Sequence, residues 1–192
     1  MGYTFRSGLE DEAQGAMRVI QTKDLGDDGI VAHDSLFRTT LSVPQAQRVR
    51  AGDIVVRSRG GKATSALVAS DPGDTVVAAP LLRVRVTDPR VTPAYLNWYI
   101  NQPPTQAYLA KRAEGTHMKM ISKIMLEGLP VLVPSAARQE RIIRLAGLSA
   151  RERILSVELL ALREKLRSAI MSEYAWGANG GAETERPRRG SR

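Results

Sequence analysis

The spacing of apolar positions divides the chain into two parts. The first has short runs with a period near two, and the second has a sustained period near 3.5. Met17–Ile20 is the first apolar run and predicts a strand. Residues 54–57 follow Gly52-Asp53 and stop at Gly60-Gly61, which reads as a buried strand. Residues 66–69 and 75–79 flank the turn Asp71 to Asp74 and predict two more. Over residues 81–86 the alternation is clean, with Leu82, Val84 and Val86 on one face and Arg83 and Arg85 on the other. Pro93 opens a helix that carries Tyr95, Leu96, Tyr99 and Ile100. Pro103-Pro104 interrupts, and residues 107–113 form a second helix that ends near Gly115. A polar loop from Gly115, an amphipathic turn and a strand over residues 129–133, closed by Pro134, complete an α+β domain over residues 1–134.

From Ser135, a plausible N-cap, the period changes. Arg141, Leu145, Leu148, Glu152, Leu155, Leu159, Leu162, Leu166 and Ala169 step alternately by four and three, which is a coiled-coil seam with two polar interruptions. Ile142, Ile154 and Ile170 widen it. As one helix, residues 136–172 would reach roughly 55 Å at 1.5 Å per residue. Gly147 offers a kink and Ser149 a cap for a second segment. An apolar stripe of this length needs a partner, from this chain or another, and Leu148, Leu155, Leu159, Leu162 and Leu166 are the expected subunit interface. The long helix is expected over residues 135–176, with a disordered basic tail over 177–192.

Composition narrows the classes. In 192 residues, 43% are hydrophobic, enough for a packed core. The chain has no Cys, which excludes disulfides, a thiolate nucleophile and a Cys-based zinc site. Its two histidines, His33 and His117, are far apart, so no metal is expected. No apolar run approaches the ~20 residues of a membrane span, and the start lacks a signal-peptide core; the expected location is the cytoplasm. No Walker loop, nucleophile elbow or methyltransferase signature is visible. Asp53 with Lys62 makes only half of a nuclease motif, and Asp53 is equally a strand start. The reading is a non-enzyme without cofactors.

The net charge of +8 is unevenly placed. Residues 1–34 carry three cations against seven acids. Residues 35–67 carry six against Asp53 alone, and residues 81–125 carry seven against Asp88 and Glu114. Clustered basicity is the footprint of a polyanion binder, although an uncommitted basic surface reads the same way. In the loop of residues 57–64, Arg57 and Arg59 can pair bidentately with guanine or phosphate, and Ser58, Lys62 and Thr64 can add contacts. Gly60 and Gly61 allow close backbone approach. Thr116, His117 and Lys119 offer the same chemistry. For both groups the alternative is a solvated loop paired to acidic neighbours.

Three blocks carry a family resemblance. Residues 115–134, with Gly115-Thr116 and Ile121-Ser122 in a G-[ST]-x-x-x-x-[IL]-[ST] pattern, run into a helix that begins around Gln139. Upstream, Gly52-Asp53-Ile54-Val55 leads to Ser58-Arg59-Gly60, and between the two lies Pro93 with Tyr95, Leu96 and Tyr99. In order and spacing, over roughly residues 5 to 172, the chain resembles the specificity (S) subunits of type I restriction-modification systems. The resemblance implies a DNA target recognition domain followed by a conserved helix. It implies duplex DNA, an adenine-specific DNA methyltransferase (M) subunit and, where one exists, a restriction (R) subunit as partners. The family pairs two domains and two helices, so one of each reads as a half-length subunit that dimerises through its helix. A stand-alone DNA-binding protein of another defence system would keep the loop and helix without a methyltransferase, and a pure interaction protein would use the helix alone.

Overall fold

The computed structural model describes residues 1–5, 12, 14–26, 28–32, 36–115 and 119–176. Its contacts separate two compact units, Met1–Ala146 and Gly147–Arg192. The first is an α+β domain built on two three-stranded sheets. In one, β1 (Met17–Ile20) lies between antiparallel β2 (Phe37–Thr39) and parallel β5 (Thr75–Val77). In the other, β3 (Ile54–Val56) lies between β4 (Ser65–Leu67) and β6 (Leu82–Val84), both antiparallel to it.

The central strands carry buried residues on both faces, which is why β3 reads as an unbroken apolar run and β1 as one interrupted only by Arg18. Val55 and Ala66 of one sheet join Ile20 and Val77 of the other in a shared core. The next residues along each strand turn the opposite way. Met17, Val19 and Val76 pack with Val43, Tyr3 and Phe5, while Ile54, Val56 and Leu82 pack beneath Leu96 and Ile100. The alternation expected of residues 81–86 holds, with Leu82, Val84 and Val86 in this last cluster.

Helix α1 (Pro93–Ile100) is capped by Thr92, whose side chain accepts from the Tyr95 amide. Helix α2 (Pro103–Arg112) begins at Pro103, so the proline pair opens the helix instead of interrupting it. Proline fits a first helical turn because its missing N–H would have no partner there. Ser122 caps the short α3 (Lys123–Glu127) in the same manner as Thr92.

The expected strand over residues 129–133 is corrected: the segment belongs to neither sheet. Tyrosine hydroxyls hold its carbonyls and that of Gly128. Tyr95 donates to Leu132 at 2.7 Å, Tyr99 to Pro130 at 3.1 Å and Tyr108 to Gly128 at 2.9 Å. Pro130 and Pro134 also lack the donors that a ladder needs. At the end of this segment α4 (Ala136–Trp176) begins, locked by Gln139. That side chain is fully buried and bonds at both ends. Its Oε1 accepts from the Thr92 amide at 2.9 Å and the Thr92 hydroxyl at 3.2 Å, and its Nε2 donates to the Arg90 and Pro134 carbonyls.

Helix α4 runs unbroken through Gly147 and Ser149, so neither divides it. Its 41 residues correspond to about 60 Å. In the second unit its side chains are exposed. Leu148, Leu155, Leu159, Leu162 and Leu166 lie between 47% and 63% open in the single chain. No helix among the described residues is long and apolar enough to cross a membrane. The expected tail over 177–192 lies outside the described residues.

Candidate nucleic-acid interface

The loop after β3 closes on itself where the Arg57 amide donates to the Thr64 carbonyl at 2.9 Å. Between these ends it is tied down on two sides. Gln106 of α2 clamps Ala63 through its amide, accepting from the Ala63 N–H and donating to its carbonyl, both at 3.1 Å. On the other side the loop pairs with the segment around Met120. Ile121 N–H donates to the Ser58 carbonyl at 2.8 Å, Gly60 N–H donates to Lys119 at 3.2 Å, and Arg59 faces Met120 in an antiparallel bridge. Met120 exchanges two further backbone bonds with Glu114. The fold thus places the two basic segments, far apart in sequence, side by side.

Beneath them is a small core of their own. Ala63 from the loop, Leu109 from α2 and Ile121 from the returning segment are buried together, with Tyr108, Met125, Leu126 and Leu129 packed around them. The support is therefore packed and hydrogen-bonded, and what remains at the surface is the tip: Arg59, Gly60, Gly61 and Lys62, with Lys119 alongside. Gly60 has φ +113 with nothing within 4 Å of a Cβ position, so conformation, not crowding, favours glycine there.

The other expected contacts are placed differently. Ser58 is not on the surface: it is 5% exposed and its hydroxyl donates to the Pro80 carbonyl, so it supports the loop instead of facing a ligand. Arg57 is half-buried and donates to the Thr22 carbonyl at 3.1 Å. Thr64 is half-buried at the loop's base. Thr116 and His117 lie outside the described residues. Arg83 and Arg85, on the outer side of β6, are engaged with their own domain. Arg83 donates to the Arg48 and Ala46 carbonyls, and Arg85 forms a two-pronged pair with Asp53, both bonds at 2.7 Å. Burial pulls the Arg83 guanidinium below the usual arginine range, with Arg85 beside it adding to the effect, while the Asp53 bond raises Arg85. Asp53 is 1% exposed and also accepts from the Arg50 amide, which makes it a structural carboxylate.

Charge pairing separates the cations further. Arg48, Arg85, Arg90, Lys123, Arg144 and Arg167 each meet a carboxylate. Among the described residues no carboxylate pairs with Arg59, Lys62 or Lys119. The described residues also contain no group of three or more side chains able to hold a metal ion. The sequence marked the loop and Lys119 separately. It did not show that they adjoin, nor did it single out Gln106, whose only signal is a polar residue within a helix.

No family model matches the chain, and no curated protein matches it in sequence. In fold it is similar to the crystal structure of the HsdS subunit from Thermoanaerobacter tengcongensis, with a TM-score of 0.60 at 14% identity. The likeness covers 88% of this chain and 45% of that one, so the chain spans less than half of that subunit's length. At this identity the likeness is one of fold: a small mixed-sheet α+β domain leading into a long helix.

Proposed function

We propose that the chain is a sequence-specific recognition subunit for duplex DNA, which directs a partner adenine-specific DNA methyltransferase, and a restriction subunit where one exists, to its target. The observation that carries this reading is the set of cations with no carboxylate partner among the described residues, Arg59, Lys62 and Lys119, brought together on one packed support. Arginine on a fixed loop can read guanine O6 and N7 in the major groove, and lysine can hold phosphate. The likeness to an HsdS subunit and the three sequence blocks support the same reading.

The test is binding to duplex DNA across salt. With about 6 phosphate contacts, log K against log salt should fall with a slope near −5. A flat response removes the DNA reading. Recovery of an adenine methyltransferase with the chain from its native lysate supports the subunit role, and DNA binding without one would favour a stand-alone recognition protein.

The exposed leucines of α4 are the proposed contact with a second copy of this chain. A two-fold pair would present two identical readers to related half-sites. Replacing Leu159 and Leu162 together with Asp places charge in that seam, which is strongly unfavourable. Sedimentation should then show a monomer with the α+β domain still folded. A monomeric wild type overturns the pairing.

A further inference from the structure

Helix α2 ends in two cations that belong to neither the loop nor the returning segment. Lys111 and Arg112 fill its last turn and both are exposed. Basic residues at a helix C-terminus complement the dipole wherever the helix points. Three observations go further than that.

The first is orientation. The Arg112 guanidinium carbon lies 3.7 Å from the centroid of the Tyr108 ring. A guanidinium held over a ring is restricted in orientation and keeps N–H donors directed away from the ring face. Tyr108 is itself fixed, packed against the Ala63, Leu109 and Ile121 core and bonded to Gly128. The second is position. Ala113 ends α2, and the next residue, Glu114, is bridged to Met120, which is bridged in turn to Arg59. Neighbouring strands lie about 4.8 Å apart, so Glu114, across Met120 from Arg59, stands about two strand spacings from it, and α2 delivers its last turn to the far side of the same three-segment patch. The third is freedom: among the described residues no carboxylate pairs with Lys111 or Arg112.

We propose that Arg112, oriented by Tyr108 and assisted by Lys111, grips the phosphate backbone of the duplex whose bases Arg59 faces. The proposal rests on the DNA reading above and divides its labour: α2 fixes the register of the duplex, and the loop reads it. A phosphate contact positions without carrying sequence information, whereas a base contact discriminates. Gln106, on the same helix, links the two through its clamp on Ala63.

The experiment measures binding of the full chain to its selected duplex and to a scrambled duplex of equal length, over a range of salt. Arg112→Gln should weaken both by the same factor, roughly three- to tenfold, and reduce the salt slope by about 0.9. The ratio between the two duplexes should stay at its wild-type value, and the melting temperature should fall by no more than about 4 °C, the effect of losing the helix-end and ring contacts. Arg112→Lys should restore the slope, because it restores the charge. If Arg112→Gln leaves the slope unchanged, or changes only the ratio, the backbone grip is overturned while the recognition reading stands. If the wild type binds neither duplex, the recognition reading falls and this inference with it.

Discussion

Two basic regions of the α+β domain look alike in sequence and differ in the fold. Around β6, Arg83 spends its donors on the Arg48 and Ala46 carbonyls, Arg85 holds Asp53, and Arg48 meets Asp74. Around the loop of residues 57–64, Arg59, Lys62 and Lys119 have no carboxylate among the described residues and face solvent. The first region uses charge to hold segments of the domain together. The second carries its charge on a support held by apolar packing, backbone hydrogen bonds and the Gln106 clamp. Net charge per segment therefore says little about binding, and the location of each cation's counter-charge says a great deal.

The sharpest separation comes from Asp53. Asp53→Ala removes a buried acceptor of bonds from Arg85 and from the Arg50 amide. Losing these hydrogen bonds to a charged acceptor should cost about 1.5–3 kcal/mol of stability, read as a lower urea midpoint. The salt slope of DNA binding, measured on the folded fraction, should not move. Arg59→Ala should show the reverse pattern. Stability should stay within about 0.5 kcal/mol, as for surface substitutions generally. Binding to the preferred duplex should weaken by about 1–3 kcal/mol, the cost of a lost bidentate base contact, with the scrambled duplex affected less. If Arg59→Ala lowers the urea midpoint as Asp53→Ala does, the two regions are not different in kind and the loop loses its claim to be the reader.

Much of the architecture was legible because local chemistry and burial agree. Apolar runs marked five of the six strands, since β1, β3 and β5 are covered on both faces and β6 alternates cleanly. Pro93 marked the start of α1, and the change of period after Ser135 marked the start of α4. Strand β2, three residues with Phe37 half-buried, left no such signal. The segment over residues 129–133 misled for a specific reason. It has the composition of a strand, but side-chain hydroxyls from α1 and α2 occupy the carbonyls that a neighbouring strand would otherwise take.

By itself the sequence determined the α+β class, the long helix with its leucine repeat and the basic character of two segments, because each depends on composition or on spacing along one stretch of chain. Tertiary structure alone decided which cations are consumed and which are free. It set the loop against Lys119 through backbone bonds, turned the Ser58 hydroxyl to Pro80, drew Arg85 onto Asp53 and stood Arg112 on Tyr108. Each of these joins residues separated along the chain, or, for Arg112, depends on how a helix face is presented. Pairwise electrostatics and hydrogen bonding act over a few ångströms in space, and only the fold establishes that distance.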